Sequence, residues 1–155
     1  MKKVEIKLKR SAVAPLLDFM KPVIRDLEAG AEVDIAPPRD LDRDMKDAWR
    51  ADLRESLARD AEKLLDLFGR RFFEEGAIEI HPENAEQILR ASAAIRLRLR
   101  ERFLQRFADE TLEAGEIDHA SMSRDEERGY GCYLFLATLQ EVVIDHLDLI
   151  EGTGS

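Results

Sequence analysis

The sequence predicts a mainly α protein, a single-domain helical bundle of four to five helices that carries a small sheet. The first observation is the stretch from residue 129 to residue 150, which is apolar on nearly every side between Cys132 and Ile144. A helix that is apolar all round is enclosed by other helices, so this stretch predicts the central helix. The second observation is the helical spacing of apolar residues in the other long segments. The third is the alternation of apolar and charged residues in short stretches, which indicates strands near residues 4–9, 32–35 and 77–80.

Length and composition indicate the class of protein. A chain of 155 residues is the size of one ordinary domain. Charged residues make up 37% of it and the net charge is −9, so the exterior is heavily charged and acidic. This balance argues against nucleic-acid binding, which requires a basic face. The N-terminus lacks the apolar core of a signal peptide, and no apolar run is long enough for a membrane span. A soluble, cytoplasmic protein that binds neither nucleic acid nor membrane is therefore expected.

The first third of the chain is predicted to form a strand, a helix and a second strand. Residues 4–9 alternate apolar with charged side chains, which is the pattern of a half-buried strand. Ser11 is the predicted N-cap of the helix that follows, and Gly30 is its predicted end. Residues 32–35 repeat the alternation and predict the second strand, which two prolines follow.

The middle third is predicted to hold two long amphipathic helices with a strand between them. The first helical segment runs from Asp40 to Glu75. A break is expected near residues 45–49, because an uninterrupted helix of that length would span about 50 Å. Residues 77–80 then give the third strand. Pro82 is the predicted first residue of the next helix, a position where its missing N–H costs nothing.

The last third contains the helix predicted to be central. The preceding helix is expected to end by Gly115. Ser123 and Glu126 then have the spacing of a capping box, which predicts the start of the central helix. No domain boundary interrupts the chain. We therefore expect one helical domain over residues 1–150 and a disordered tail over residues 151–155.

Two polar residues, Gln140 and Glu141, interrupt the apolar surface of the predicted central helix. A buried carboxylate must be paired or protonated, because burying a lone charge is very costly. Arg96, which lies among apolar residues of the preceding helix, is its predicted partner, with Gln140 completing the hydrogen bonds. Arg90 is expected to lie further round that helix and to be solvated. The cluster of Arg96, Gln140 and Glu141 either fixes the register of two helices or forms a ligand or partner site.

Three arginines, Arg98, Arg102 and Arg106, recur at i, i+4 spacing and define a candidate partner surface. Residues 109–128, which follow, carry eight acidic residues against two arginines. One interpretation is that the two segments neutralise each other or form a solvated face. The alternative is that the arginines bind an acidic partner protein.

No residue pattern indicates catalysis or metal binding. The three histidines, His81, His119 and His146, lie on different predicted elements and lack the spacing of zinc ligands. The single cysteine, Cys132, has no activating residue near it in sequence and is expected to be a small buried hydrophobe. We therefore expect no metal and no cofactor. Whether the protein is an enzyme stays open, and the absence of a catalytic motif favours a protein that is not one.

Two helical segments carry short motifs: ILRASAAIRLRLRERF, from Ile88 to Phe103, and YLFLATLQEVVIDHL, from Tyr133 to Leu147. Arg96 lies in a leucine-arginine-leucine helix, and residues 139–141 read leucine-glutamine-glutamate. Together they resemble an uncharacterised bacterial family, domain of unknown function 2017. The resemblance implies no activity. Actinobacterial members are often encoded beside the adaptor of the Clp protease, which implies a role near regulated proteolysis. The tryptophans usual in the family's last helix are absent here, where Tyr133 and Phe135 stand near their places.

Three functions are consistent with these observations. The first is a non-enzymatic helical interaction or regulatory protein, accessory to Clp-type regulated proteolysis, with the Clp machinery as its partner. The second is a small-molecule-binding protein or enzyme that uses the polar cluster between the last two helices. The third is a homodimer assembled through the helix from Trp49 to Phe72, if a second apolar edge at Leu67 and Phe73 is exposed.

Overall fold

The computed structural model of the protein describes residues 3–29 and 36–153, with side chains described as far as residue 146. It confirms the predicted mainly α fold with a small sheet. The elements in chain order are β1 (Val4–Lys7), α1 (Arg10–Glu28), α2 (Arg43–Leu67), α3 (Arg70–Glu75), β2 (Ala77–Ile80), α4 (Ala85–Phe103), α5 (Asp109–Ala114), a single 3-10 turn (His119–Ser121) and α6 (Arg124–Thr153). No helix in this part of the chain combines enough length with enough apolar character to cross a membrane. Helix α6 extends to Thr153, into the segment predicted as a disordered tail.

The sheet joins two strands that are far apart in the chain. β1 and β2 are antiparallel, with Val4 opposite Ile80 and Lys7 opposite Ala77. The strands predicted near residues 4–9 and 77–80 are therefore confirmed, although β1 ends at Lys7. The strand predicted over residues 32–35 lies outside the described residues. β2 is the better buried strand, because its other face lies against α2 and α3.

Gly76 is the residue at which α3 turns into β2. Its φ is +68°, a left-handed conformation that L side chains rarely adopt. Its carbonyl accepts a hydrogen bond from Leu8 N at 2.7 Å. A Cβ at this position would lie 2.8 Å from the backbone oxygen of Leu8. The close approach of the two backbones therefore requires glycine here.

The predicted boundaries of α1 are wrong at the start. The helix begins at Arg10, so Ser11 is its second residue and not its N-cap, and Lys9 in the cap position makes no side-chain hydrogen bond to the helix. The first turn is instead closed by the backbone, with Ala12 N and Val13 N both donating to Lys9 O. Its predicted end, Gly30, lies outside the described residues.

The break predicted near residues 45–49 is also wrong. Asp42 accepts a hydrogen bond from Met45 N at 2.8 Å and starts α2, which then continues to Leu67. The chain breaks instead at residues 68–69, before α3. Phe68 and Phe72 meet edge to face there, with ring centroids 5.4 Å apart. Both rings are buried in the core.

The exposed apolar edge predicted on the helix from Trp49 to Phe72 is not formed as one edge. Leu67 is buried, and Phe73 is exposed but lies on α3. The segment predicted as one helix therefore presents its apolar residues in two directions. This finding removes the geometry on which the predicted homodimer rested, while dimerisation itself stays a prediction.

The helix predicted from Pro82 to Gly115 is divided in two. Pro82 lies in a turn, and α4 begins at Ala85 after Asn84 accepts a hydrogen bond from His81 N at 2.9 Å. α4 ends at Phe103, because the chain turns at residues 104–108 before α5. Gly115 does end a helix, α5, with a φ of +72°.

The central helix is α4 and not α6. α4 packs against α1, α2 and α6, whereas α6 packs mainly against α4 and α1. α4 has short side chains on its buried surfaces (Ala91, Ser92 and Ala94), which let neighbouring helices approach on several sides. α6 buries one face, and its Leu134 and Ile144 remain 42% and 44% exposed. The prediction that α6 is enclosed is therefore wrong.

Candidate functional site

The predicted polar cluster lies between α4 and α6. Arg96 Nη1 donates a hydrogen bond to Gln140 Oε1 at 2.8 Å. Gln140 Nε2 in turn donates to the backbone oxygen of Leu89 at 3.2 Å, one or two turns earlier on α4. The side chain of Arg96 is 20% exposed, so this contact is largely shielded from water. The structure thus places Arg96 and Gln140 together, as predicted.

Glu141 is not part of this cluster, and the predicted buried pair of Arg96 with Glu141 is wrong. Glu141 is exposed on the opposite side of α6 from the interface with α4. Consecutive residues on a helix are separated by about 100°, so Gln140 and Glu141 cannot both face Arg96 directly. The acidic partner of Arg96 is Glu113 on α5, whose Oε1 lies 3.0 Å from Arg96 Nη2.

Tyr133 completes the network that Arg96 organises. Its hydroxyl donates to Glu113 Oε1 at 2.6 Å, and the Arg96 guanidinium carbon lies 4.3 Å from the centre of its ring. The hydrogen bond from Tyr133, followed by the charge of Arg96, lowers the pKa of Glu113 against the opposing effect of desolvation. Burial, together with the hydrogen bond to Glu113, raises the pKa of Tyr133. At neutral pH the network therefore pairs a carboxylate with a neutral phenol and a guanidinium.

Most donors and acceptors of the network bind one another, but Arg96 Nε is buried and has no hydrogen-bond partner among the described residues. Arg96 uses its two terminal nitrogens on Gln140 and Glu113, and Gln140 uses its amide on the backbone of α4. Neither titratable pKa is moved toward neutrality, which a general acid or base would need. The arrangement is suited to fixing α5 and α6 on α4.

The predicted partner surface of three arginines is engaged within the molecule. Arg98 contacts Glu101 on the same helix at 3.3 Å, and Arg102 contacts Asp26 on α1 at 3.2 Å. Arg106 bonds Glu126, the capping-box residue of α6, at 2.6 Å. Arg100 and Asp109 add a further pair at 2.8 Å. The basic segment and the acidic segment after it thus neutralise each other at several points, as the first interpretation of the sequence expected.

The capping box predicted at the start of α6 is present. Glu126 Oε1 accepts from Ser123 N at 2.9 Å, and Ser123 Oγ accepts from Glu126 N at 3.1 Å. Arg106 Nη2 also donates to the backbone oxygen of Ser121 at 2.8 Å. One carboxylate therefore caps α6 and holds the end of the arginine segment.

The Arg106–Glu126 pair predicts a pH dependence. The hydrogen bond from Arg106, assisted by that from Ser123 N, lowers the pKa of Glu126 from 4.5 to about 2. A carboxylate whose pKa is lower in the folded state stabilises the fold above its unfolded pKa. That contribution is lost as the pH falls from 4.5 toward about 2. We expect Glu126→Gln to reduce the acid dependence of the urea midpoint in this range. Glu127→Gln, at a neighbouring exposed carboxylate, is the control, and equal slopes for both variants would contradict the prediction.

An ion pair that the sequence analysis missed joins α2 to α4. Asp60 is only 1% exposed. Arg90 Nε donates to its Oδ2 at 3.0 Å and Arg90 Nη2 to its Oδ1 at 3.2 Å. Arg90 is half exposed, in line with the expectation that it is solvated, but two of its nitrogens also bind Asp60, which the sequence analysis did not predict. A signal existed in the sequence: Asp60 lies among the apolar positions Leu57, Ala61 and Leu64 of α2.

The other candidates for chemistry are inert or dispersed. Cys132 is buried against α1, and its burial raises the pKa of the thiol to about 12, so it is protonated. Within the described residues, no three His, Cys, Asp or Glu side chains are grouped to hold a metal ion. An open depression of about 390 Å³ on the surface is lined by residues of α1 and by Arg128, and not by Arg96 or Gln140.

The exposed side of α6 is defined by five residues, which we call the outer face: Leu134, Thr138, Glu141, Ile144 and Asp145. The hydroxyl of Thr138 donates to the backbone oxygen of Leu134 at 3.0 Å, so its polar group is satisfied by the helix itself. Two large apolar side chains and two carboxylates therefore share one helical surface.

A protein-family model matches most of the chain. The family model described as Domain of unknown function (DUF2017) matches residues 13–147, a range that extends from α1 into α6 and includes the polar cluster and the outer face. No curated protein matches the chain, and no solved structure matches it.

Proposed function

This chain belongs to the DUF2017 family, a domain of unknown function, and from that premise we propose that it is a non-enzymatic interaction protein whose partner binds the outer face of α6. One observation carries the proposal. α6 leaves Leu134 and Ile144 more than two fifths exposed on the same side of the helix, at 42% and 44%. A partner that covered them would gain part of the roughly 1.5–3 kcal/mol that full burial of each such side chain contributes.

The shape of the outer face favours a protein partner. Leu134 and Ile144 are separated by about 15 Å along the helix axis at about 1.5 Å per residue. Thr138, with its internally satisfied hydroxyl, lies between them. Single exposed apolar residues are normal on a protein surface. Leu134 and Ile144, however, lie ten residues apart on one side of α6, so a single partner helix can cover both.

The polar cluster supports this function more than it supports catalysis. The two terminal nitrogens of Arg96 bind Gln140 and Glu113, and the thiol of Cys132 is protonated and buried. These features describe a rigid scaffold that holds α6 in place against α4. A scaffold of this kind positions a binding surface and takes no part in a reaction.

The first partner to test is a component of Clp-type regulated proteolysis. That choice rests on the family, because its actinobacterial members are often encoded beside the adaptor of the Clp protease. In this proposal the chain acts as an accessory of protein turnover, and its binding partner is a protein of the Clp machinery.

The test of this function is whether capture of the partner depends on Leu134. Leu134→Glu places a charge in the outer face, and we expect it to lower recovery of the partner at least about tenfold, since each 1.4 kcal/mol is a factor of ten. The measurement is co-purification of the tagged chain with quantitative mass spectrometry, at low and at moderate salt. Met45→Glu is the matched control, because Met45 is 52% exposed on α2, away from the outer face.

The result has a definite reading. A protein recovered equally with the wild-type chain and Met45→Glu, and depleted with Leu134→Glu, supports the proposal. Equal recovery with all three chains would contradict it, provided that circular dichroism shows all three to be folded. Depletion by both variants would point to general loss of the native state.

A further inference from the structure

The two carboxylates of the outer face have no cationic partner among the described residues. Glu141 and Asp145 are both exposed, and they are separated by four positions on α6. Like charges at this spacing lie side by side on a helix and repel each other. A cation placed between them would relieve this repulsion.

The arginines of α4 and of the turn after it bind carboxylates other than these two. Arg90 binds Asp60, Arg96 binds Glu113, and Arg106 binds Glu126. Several acidic residues are thus neutralised within the molecule, whereas no ion pair is described for Glu141 or Asp145. The contrast marks the outer face as acidic and apolar at once.

We infer that the partner presents a cationic amphipathic helix to α6. Its apolar side chains would cover Leu134 and Ile144, and its Lys or Arg side chains would bind Glu141 and Asp145. This inference rests on the proposed function and specifies the chemistry of the partner. A helix that covers both Leu134 and Ile144 must carry apolar side chains almost three turns apart, because ten residues separate these two positions. A partner helix of about 11 residues would span the distance of about 15 Å.

Other occupants fit the charges less well. A second copy of the chain that docked through the same face would bring its own Glu141 and Asp145 to the interface, and like charges that face each other oppose association. Anionic lipid and nucleic acid would meet the same two carboxylates on a chain of net charge −9. A cationic helix is the partner for which both the apolar and the acidic residues of the face are complementary.

The inference is tested with two synthetic helical peptides of about 18 residues. Both carry leucine at helical spacing, and one has lysine on its polar flanks where the other has glutamate. We expect the lysine peptide to bind the full chain at least about tenfold more tightly than the glutamate peptide, as measured by fluorescence anisotropy. This preference should shrink as the salt concentration rises from about 0.05 M to about 0.5 M, because salt screens exposed charges.

Leu134→Glu separates docking from general electrostatic attraction. The variant adds a negative charge, so non-specific attraction would make the lysine peptide bind more tightly. Docking on the outer face requires the opposite result, a loss of at least about tenfold. Glu141→Lys combined with Asp145→Lys should reverse the preference between the two peptides. Glu62→Lys, at an exposed carboxylate on α2, is the control that should leave the preference unchanged.

The outcomes distinguish the inference from the proposed function. Equal affinity for both peptides, still lost in Leu134→Glu, would overturn the cationic partner and leave the outer face as a docking surface. Binding of neither peptide would likewise overturn the cationic helix. Tighter binding of the lysine peptide to Leu134→Glu would also overturn it. Failure of the proposed function is a separate result, namely capture of a cellular partner that does not depend on Leu134.

Discussion

Replacing Arg90 with methionine is expected to lower the free energy of unfolding by about 3 kcal/mol, the lower end of the range for breaking a buried ion pair. The reason is that the carboxyl group of Asp60, a residue only 1% exposed, would lose both of its hydrogen bonds from Arg90 and be left unpaired in the core. The lower end applies because the Arg90 side chain is half exposed, so water can partly replace it. The measurement is urea unfolding at neutral pH, followed by circular dichroism.

Two further variants identify the cause of this loss. Arg70→Met removes an exposed i, i+4 pair with Glu74, in which the Arg70 side chain is 89% exposed, and we expect a change within about 0.5 kcal/mol. Asp60→Leu combined with Arg90→Leu removes both charges from the interface of α2 and α4. The double variant should be more stable than Arg90→Met, because no buried charge is left alone. A loss below about 1 kcal/mol in Arg90→Met would contradict the prediction.

Truncating Phe72 to alanine is expected to destabilise the protein by about 3–5 kcal/mol. Phe72 is fully buried on α3, and its ring meets Phe68 edge to face at 5.4 Å. The truncation removes the buried ring, leaves a cavity beneath the sheet and forfeits the aromatic contact. Chemical unfolding with a two-state fit measures the difference.

The next residue provides the control for Phe72. Phe73 is the same residue type on the same short helix, but it is 51% exposed. Phe73→Ala should therefore cost less than about 1.5 kcal/mol, since water can fill the space that it leaves. Equal destabilisation of both variants would contradict burial of Phe72 as the cause, because alanine has the higher helix propensity and that change is common to both.

Local patterns in the sequence predicted the local parts of the fold. The alternation of residues 4–7 and 77–80 indicated both strands that the structure confirms. The spacing of Ser123 and Glu126 predicted a capping box, which forms because all of its atoms lie within four consecutive residues. Such signals are reliable where the partners of a residue are its neighbours in the chain.

The arrangement of helices did not follow from apolar content. The stretch from Cys132 to Ile144 has apolar residues on nearly all sides, yet α4 is the enclosed helix because its alanines let several neighbours approach. Apolar content alone does not say whether an apolar surface meets this chain or another one. On the outer face of α6, Leu134 and Ile144 are apolar residues that the core does not bury, and the proposed function rests on this observation.

Only part of the candidate site was predicted, because some of its contacts depend on how the helices pack. Arg96 and Gln140 were correctly expected to meet, because each interrupts an apolar helical surface. Glu113 was hidden among the many acidic residues of its segment, and nothing in the sequence marks it as the acid that meets Arg96. Asp60 lies among apolar positions of α2, but its pairing with Arg90, thirty residues later on α4, depends on how the two helices pack.

The pairing of β1 with β2 also bears on biosynthesis. Val4 leaves the ribosome long before Ile80, its partner in the sheet, has been made. During that interval β1 is an unpaired strand edge, of the kind that joins other chains and aggregates. Lys3 and Lys7, which stay exposed in the folded protein, flank its apolar residues with positive charge. Charged residues beside an aggregation-prone strand oppose its association with other chains, and Lys3 and Lys7 lie in these positions beside β1.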